Sequence, residues 1–153
     1  KIDVPFPSVD ELVEIANRTT SSSMPQASPA ADGAAIRAMQ ALARGVPIAD
    51  HVTAFAARVL TASHPTDAGA PKRVRDFVRY GSSPRGLQAM ILAGKIFALL
   101  DGRYNVAYDD IRAAATPALR HRLILNFEAQ AEGVTSDTVI EDILESVALE
   151  EAR

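Results

Sequence analysis

Apolar residues recur at intervals of three and four positions through most of the chain, and this spacing restricts the fold more than any other feature. The clearest case is one helical face in residues 52–60, formed by Val52, Phe55, Ala56, Val59 and Leu60. Aromatic residues make up only 5% of the chain while alanine is abundant, which favours closely packed helices over a β-sandwich. The sequence therefore predicts a mostly α fold, a bundle of about five or six helices.

Capping residues and prolines predict where these helices begin and end. Ser8 and Glu11 match a capping box, and the serine–proline pairs at 28–29 and 83–84 place proline at the first helical position. Pro117 is expected to break or restart the fifth helix. The predicted helices begin near residues 8, 28, 50, 84, 108 and 137; the second ends at Gly45, the fourth at Asp101-Gly102 and the last at about Ala148. Loops or polar connections are predicted over residues 19–27, 65–80 and 126–134.

A minor β-ribbon is expected beside the helices. Residues 1–7 (KIDVPFP) follow the alternating pattern of a short strand, but one strand alone leaves its backbone groups unpaired. A two- or three-strand ribbon is therefore predicted from residues near 2–6, 106 and 123–125. The predicted core consists of Leu12, Ile36, Leu42, Phe55, Val59, Leu87, Ile91, Ile111, Leu119 and Ile143.

Composition argues against several classes of protein. Cysteine is absent, which excludes disulfides and thiolate metal sites, and the three histidines are too scattered to predict a metal site. The net charge of −3 argues against a nucleic-acid surface. No apolar run reaches the roughly 18 residues of a membrane span, so no membrane partner is expected. The expected location is cytoplasmic.

Two basic clusters leave their roles open at this stage. Lys72, Arg73, Arg75 and Arg79 could face an anion or a neighbouring subunit, or could lie on a solvated loop. Arg120-His121-Arg122 could face a nucleotide or a subunit, or could complement the negative end of a helix dipole.

Arg85 is the candidate site residue. Ser83 is expected to cap the fourth helix, Pro84 to occupy its first position and Arg85 its second. The free backbone N–H groups and the dipole at a helix start favour an anion, so a cation is misplaced there unless an anion arrives. The planar guanidinium suits bidentate contact with phosphate oxygens. The alternative is an arginine that is solvated or paired with a neighbouring acid.

Tyr80-Gly81-Ser82-Ser83-Pro84-Arg85-Gly86 resembles the sensor-2 motif of MoxR-type AAA+ ATPases, a GxSPR element that opens the third helix of the C-terminal lid domain. The segments LQAMILAGKIFALLDGRYNV (87–106) and YDDIRAAATPALRHRLILNFEAQAEG (108–133) resemble the rest of that lid in order and spacing. The opening KIDVPFPS is similar to the last strand of the ATPase core running into the lid.

The resemblance implies that residues 1–7 are the remnant of that strand and that residues 8–153 are the lid. It implies ATP hydrolysis with ATP and Mg²⁺ in the full-length protein and chaperone-like remodelling or assembly of partner proteins. Ser83, Pro84 and Arg85 would be the nucleotide-binding residues, and Arg85 would contact the γ-phosphate. The implied partners are the protein's own AAA+ core, a homo-oligomeric ring, commonly a hexamer, and proteins with von Willebrand factor A domains.

The chain contains no GxxxxGK[ST] phosphate-binding loop, so it is expected to be inactive alone. Two positions depart from the family pattern: Gly86, which could loosen the first helical turn, and Ala107, where a hydroxyl cap is usual. The alternative function is a stand-alone helical protein-interaction module that binds no nucleotide.

Overall fold

The computed structural model describes residues 1–22 and 26–147, and within those ranges it contains eight helices and one two-stranded antiparallel sheet. The helices are α1 (Val9–Thr19), α2 (Gly33–Gly45), α3 (Asp50–Thr61), α4 (Lys72–Phe77), α5 (Pro84–Leu100), α6 (Tyr108–Leu119), α7 (Phe127–Ala131) and α8 (Ser136–Ser146). The strands are β1 (Val78–Tyr80) and β2 (Ile124–Leu125). All helices except α4 and α7 have 11 residues or more, so the predicted mostly α bundle is confirmed.

Local capping explains where the first two helices begin. The predicted box at Ser8 is confirmed: the Glu11 carboxylate accepts from Ser8 N at 2.7 Å, and Ser8 Oγ accepts from Glu11 N at 3.3 Å. The predicted start of the second helix at 28–29 is wrong, because Asp32 caps α2 by accepting from Ala35 N at 2.7 Å. The predicted end at Gly45 is confirmed.

Pro117 lies inside α6 and does not break it, so that prediction is wrong. Proline removes one helical hydrogen bond, but the helix continues because Arg120 N donates to Thr116 O at 2.9 Å. The predicted end of the last helix at Ala148 lies outside the described residues. Val147, at the C-cap of α8, is buried.

The ribbon differs from the prediction in its partners. β2 lies within the predicted 123–125 segment, but it pairs with β1, where Val78 faces Leu125 and Tyr80 faces Ile124. Residues 2–6 and 106 are not strands, and that part of the prediction is wrong. Val106 N is held instead by Pro47 O at 3.2 Å. The regions predicted as loops over 65–80 and 126–134 also contain α4, β1 and α7.

The core lies where α3, α5, α6 and α8 meet, and α4 packs on α8 at its edge. Of the predicted core, Phe55, Val59, Ile111, Leu119 and Ile143 are fully buried, and Leu87 and Ile91 pack against them partly buried. Leu12, Ile36 and Leu42 are 40%, 46% and 64% exposed, so placing them in the core was wrong. The apolar side chains of α1 and α2 remain largely exposed within residues 1–22 and 26–147, although α2 contacts α5. Among the described helices, none is both long and apolar enough to cross a membrane.

Candidate functional site

Arg85 lies in the first turn of α5 with its side chain exposed to solvent. Within residues 1–22 and 26–147, no carboxylate or other group forms an ion pair or hydrogen bond with its guanidinium. Pro84 occupies the first helical position and Ser83 the N-cap position, as predicted, but the Ser83 side chain makes no capping hydrogen bond. The turn is closed instead by Gly86 N, which donates to Ser83 O at 2.7 Å.

Two residues just beyond α3 hold the chain that leads into α5. Ser63 Oγ accepts a hydrogen bond from Ser82 N at 3.0 Å, and His64 Nε2 lies 3.0 Å from Ser82 O. Gly81 packs so closely against this pair that a Cβ on it would lie 2.7 Å from His64 Cγ and 2.7 Å from Ser63 O. Both backbone polar groups of Ser82 are therefore tied to the end of α3.

Gly86 allows α5 to approach the rest of the bundle. A Cβ at this position would overlap Ser82 Oγ and would lie 2.9 Å from Leu119 Cδ2 and 3.2 Å from Leu60 Cδ1. The absent side chain is what lets α5 pack against α3 and α6. The loosening of the first turn by this glycine stays a prediction.

The first basic cluster is largely satisfied within the chain. Arg73 pairs with Asp142 at 2.5 Å, Lys72 pairs with Asp76 at 2.6 Å, and Arg75 donates to Ala70 O at 2.5 Å. Arg79 lies over the Tyr80 ring, 5.3 Å from its centroid. These contacts favour a structural role over an anion-facing loop.

The second basic cluster also has internal partners. Arg120 follows the end of α6 and binds both oxygens of Asp137 at 2.6 and 2.5 Å, which links α6 to α8. Arg122 donates to Ala118 O. Partial desolvation, and then the charge of Arg122, lower the pKa of His121. The geometry favours the helix-end interpretation of this cluster.

An ion pair that the sequence did not predict lies at the other end of α5. Arg103 donates to both oxygens of the buried Asp110 carboxylate at 2.8 and 2.6 Å, and to Asp101 at 3.0 Å. Asp110 also accepts from Ala107 N at 2.7 Å, so the carboxylate three residues on satisfies the cap position where Ala107 lacks a hydroxyl. Hydrogen bonds from Arg103 are the main cause that lowers the pKa of Asp110. The signal for this pair in the sequence is an acid in the first turn of α6, a position where negative charge also suits the helix dipole.

No set of three or more histidine, cysteine, aspartate or glutamate side chains in the described part of the chain is arranged to hold a metal ion.

Comparison with known proteins points to one family. Residues 70–143 match the model of the AAA lid domain. The chain is 30% identical over 149 residues to the chaperone MoxR1 of Mycobacterium tuberculosis, which covers 97% of this chain and 39% of the relative. It is 32% identical over 98 residues to the protein MoxR of Paracoccus denitrificans, covering 59% of this chain and 29% of that protein. The chain thus spans well under half the length of these relatives.

The fold has a counterpart among solved structures. A crystal structure of a candidate ATPase from Cytophaga hutchinsonii superposes with a TM-score of 0.81 at 22% identity, over 97% of this chain and 45% of the other. At this identity the match establishes the fold alone. The lid-domain match includes α5, α6 and Arg85. The similarity to MoxR1 extends over nearly the whole chain. These matches identify the chain as an AAA lid domain that is similar to the lid of MoxR proteins.

Proposed function

We propose that this chain is the C-terminal lid of a MoxR-type AAA+ ATPase and that Arg85 is its sensor-2 arginine, which contacts the γ-phosphate of ATP. The single observation that carries the proposal is an exposed guanidinium at the start of a 17-residue helix with no partner in the described residues. A cation at this position lies against the positive end of the helix dipole, and a bound phosphate would relieve that arrangement.

The hydrogen-bond donors of the lid fit a supporting role in ATP binding. Arg85 supplies one charged, planar donor, whereas Ser83 and Pro84 shape the turn that presents it. The chain has no phosphate-binding loop, so the β- and γ-phosphates and Mg²⁺ would be held mainly by an AAA+ core domain. Contact between Arg85 and the nucleotide would then couple the nucleotide state to the angle between lid and core.

Similarity to MoxR proteins supports a proposal for the wider role. We propose that the full-length protein hydrolyses ATP as a ring, commonly a hexamer, and acts in a chaperone-like manner on partner proteins, among them proteins with von Willebrand factor A domains. The exposed apolar faces of α1 and α2 suit contact with the protein's own core domain.

The test is single-turnover ATP hydrolysis by the protein that joins this lid to its AAA+ core. Arg85→Ala should raise the barrier by about 2–4 kcal/mol, as expected for loss of one charged contact to the transition state. Arg79→Ala is the matched control, because it removes a nearby exposed arginine that stacks on Tyr80. Unchanged rates in Arg85→Ala, or an equal loss in Arg79→Ala, would remove the site assignment.

The isolated chain tests the second half of the proposal. We expect it to bind ATP very weakly and to show no turnover, because a single arginine cannot position the phosphates and the attacking water. Hydrolysis by the pure chain that disappears in Arg85→Ala would contradict this.

A further inference from the structure

Two buried serines hold the turn before α5, one through its side chain and the other through its backbone. Ser63 and Ser82 are both 0% exposed. Ser63 Oγ donates to Leu60 O at 2.6 Å and accepts from Ser82 N at 3.0 Å, whereas Ser82 Oγ is buried and has no hydrogen-bond partner among the described residues. The contribution of Ser82 therefore lies in its backbone, and that of Ser63 in its side chain.

We propose that Ser63, assisted by His64, is a positioning residue for Arg85. This inference rests on the proposed role of Arg85 and names the residues outside α5 that set its location. The Ser63–Ser82 hydrogen bond joins residues 19 positions apart, so the end of α3 and the start of α5 form one unit. We call Ser63, His64, Gly81 and Ser82 the α3–α5 clamp.

Both polar groups of the Ser82 backbone are engaged in this clamp. The carbonyl oxygen can only accept, so the contact at 3.0 Å places a proton on His64 Nε2, which donates to it. Ser63 holds the N–H on the other side of the same residue. With both groups held, the peptide planes around Ser82 have little freedom to rotate.

Little freedom remains between the clamp and Arg85. Ser83 is the only residue between Ser82 and Pro84, and the proline ring restricts its own backbone and that of the residue before it. Gly86 N then closes the turn on Ser83 O at 2.7 Å. A displacement of Ser82 should therefore also displace Arg85. A misplacement of about 1 Å in a catalytic group can lower the rate about a hundredfold.

Close packing prevents the clamp from relaxing elsewhere. Gly81 leaves no room for even a Cβ beside His64 and the Ser63 carbonyl, and Gly86 leaves none beside Ser82. When Ser63 loses its hydroxyl, Ser82 N–H is left buried without a partner. The backbone can regain a partner only by moving, and Arg85 moves with it.

The experiment is a double-mutant cycle in steady-state ATP hydrolysis by the protein that joins this lid to its core. Ser63→Ala should lower kcat by about tenfold or more, with little change in the KM for ATP, because the core holds most of the nucleotide. On the Arg85→Ala background, Ser63→Ala should cause no further loss, since it acts through that arginine. His64→Ala, in a partly buried position, should show the same pattern with a smaller loss.

Matched variants separate positioning from general weakening. Thr61→Ala removes a similar bond at the end of α3, in which Thr61 Oγ1 donates to Arg58 O at 3.1 Å without reaching α5. Ile143→Val weakens the core in α8, away from the clamp. Both should keep the kcat of the parent.

Amide hydrogen exchange gives a readout that does not depend on ATP. The Ser82 amide should exchange slowly, and faster in Ser63→Ala but not in Thr61→Ala. An unchanged kcat in Ser63→Ala, or an equal loss with and without Arg85, would overturn the clamp while leaving the sensor-2 assignment intact. If Arg85→Ala itself has no effect on hydrolysis, the proposed function fails and the positioning role fails with it, even where Ser82 exchange responds.

Discussion

The helices before Val46 and those after it are both amphipathic, yet the two groups bury their apolar faces very differently. In α1 no residue is buried, and in α2 only Ala43 is buried. In α3, by contrast, Val52, Phe55, Ala56, Val59 and Leu60 are all buried, and α6 and α8 are similar. Comparable periodicity in the sequence thus leads to two outcomes in the fold.

The comparison teaches that an apolar stripe identifies which face of a helix is to be buried, but it does not identify the element that buries it. On α2 the stripe is exposed, and with Ile96 and Leu100 of α5 it lines an apolar groove of about 310 Å³. α5 therefore covers only part of the α2 stripe. The predictions below test how far the two regions differ.

The largest difference is expected for truncation of a large apolar side chain. Phe55→Ala should lower the free energy of unfolding by about 3–5 kcal/mol, because Phe55 is fully buried and packs on the Tyr108 ring with centroids 5.2 Å apart. Leu42→Ala, at a side chain that is 64% exposed, should cost less than about 1 kcal/mol. Urea unfolding measures both, and equal losses would mean that the face of α2 is covered in solution.

A smaller difference is expected for two carboxylates that cap helices. Asp110→Ala should destabilise the fold by about 2 kcal/mol, because it removes a charged acceptor from Ala107 N and from the partly exposed Arg103. Glu11→Ala removes the capping box of α1, where nothing is buried, and should lower the unfolding midpoint much less. A loss in Glu11→Ala as large as in Asp110→Ala would show that α1 is an integral part of the cooperative unit.

Two helical glycines should respond to alanine with opposite signs. Gly86→Ala should cost about 1–3 kcal/mol through overpacking, because the new methyl would meet Leu119 and Leu60. Gly45→Ala, where nothing lies within 4 Å of the new Cβ, should stabilise by about 0.5–1 kcal/mol through helix propensity. The melting temperatures of the two variants test this prediction. A higher melting temperature in Gly86→Ala would contradict the close approach of α5.

The smallest expected effect is the dependence of the free energy of unfolding on pH. Hydrogen bonds from Arg103 hold the pKa of Asp110 below its usual value in the folded chain, so the unfolded chain binds the proton more readily. Its contribution is complete above the unfolded pKa and is lost as pH falls through the folded pKa, with a slope of at most about 1.4 kcal/mol per pH unit. Stability measured from pH 6 to pH 2 should fall less steeply in Asp110→Asn. The pKa of Glu11 is also lowered, so Glu11→Gln is the comparison for the exposed region.

Features that depend on neighbours in the chain could be predicted before the fold was known. The box of Ser8 and Glu11 joins residues three apart, and Pro84 marks the start of α5. The candidate arginine was predicted in the first turn of that helix, and the fold places it there, exposed. Its contact with a phosphate stays a prediction.

Features that depend on distant partners were missed. The pairing of β1 with β2, the contact of Ser63 with Ser82, and the link between Arg120 and Asp137 each join segments that are separated along the chain. The same limit explains the errors at Leu12, Ile36 and Leu42, which were assigned to the core although the described residues bury them only in part.

The amino-acid order was therefore enough to specify a mostly helical chain, most of its helix starts and the residue that stands at the head of α5, because capping and periodicity act over three or four residues. Packing decided which apolar faces are buried and which cations are neutralised among the described residues. Burial and ion pairing depend on which segments pack together, and this packing is determined by the contacts of the whole bundle rather than by neighbours along the chain.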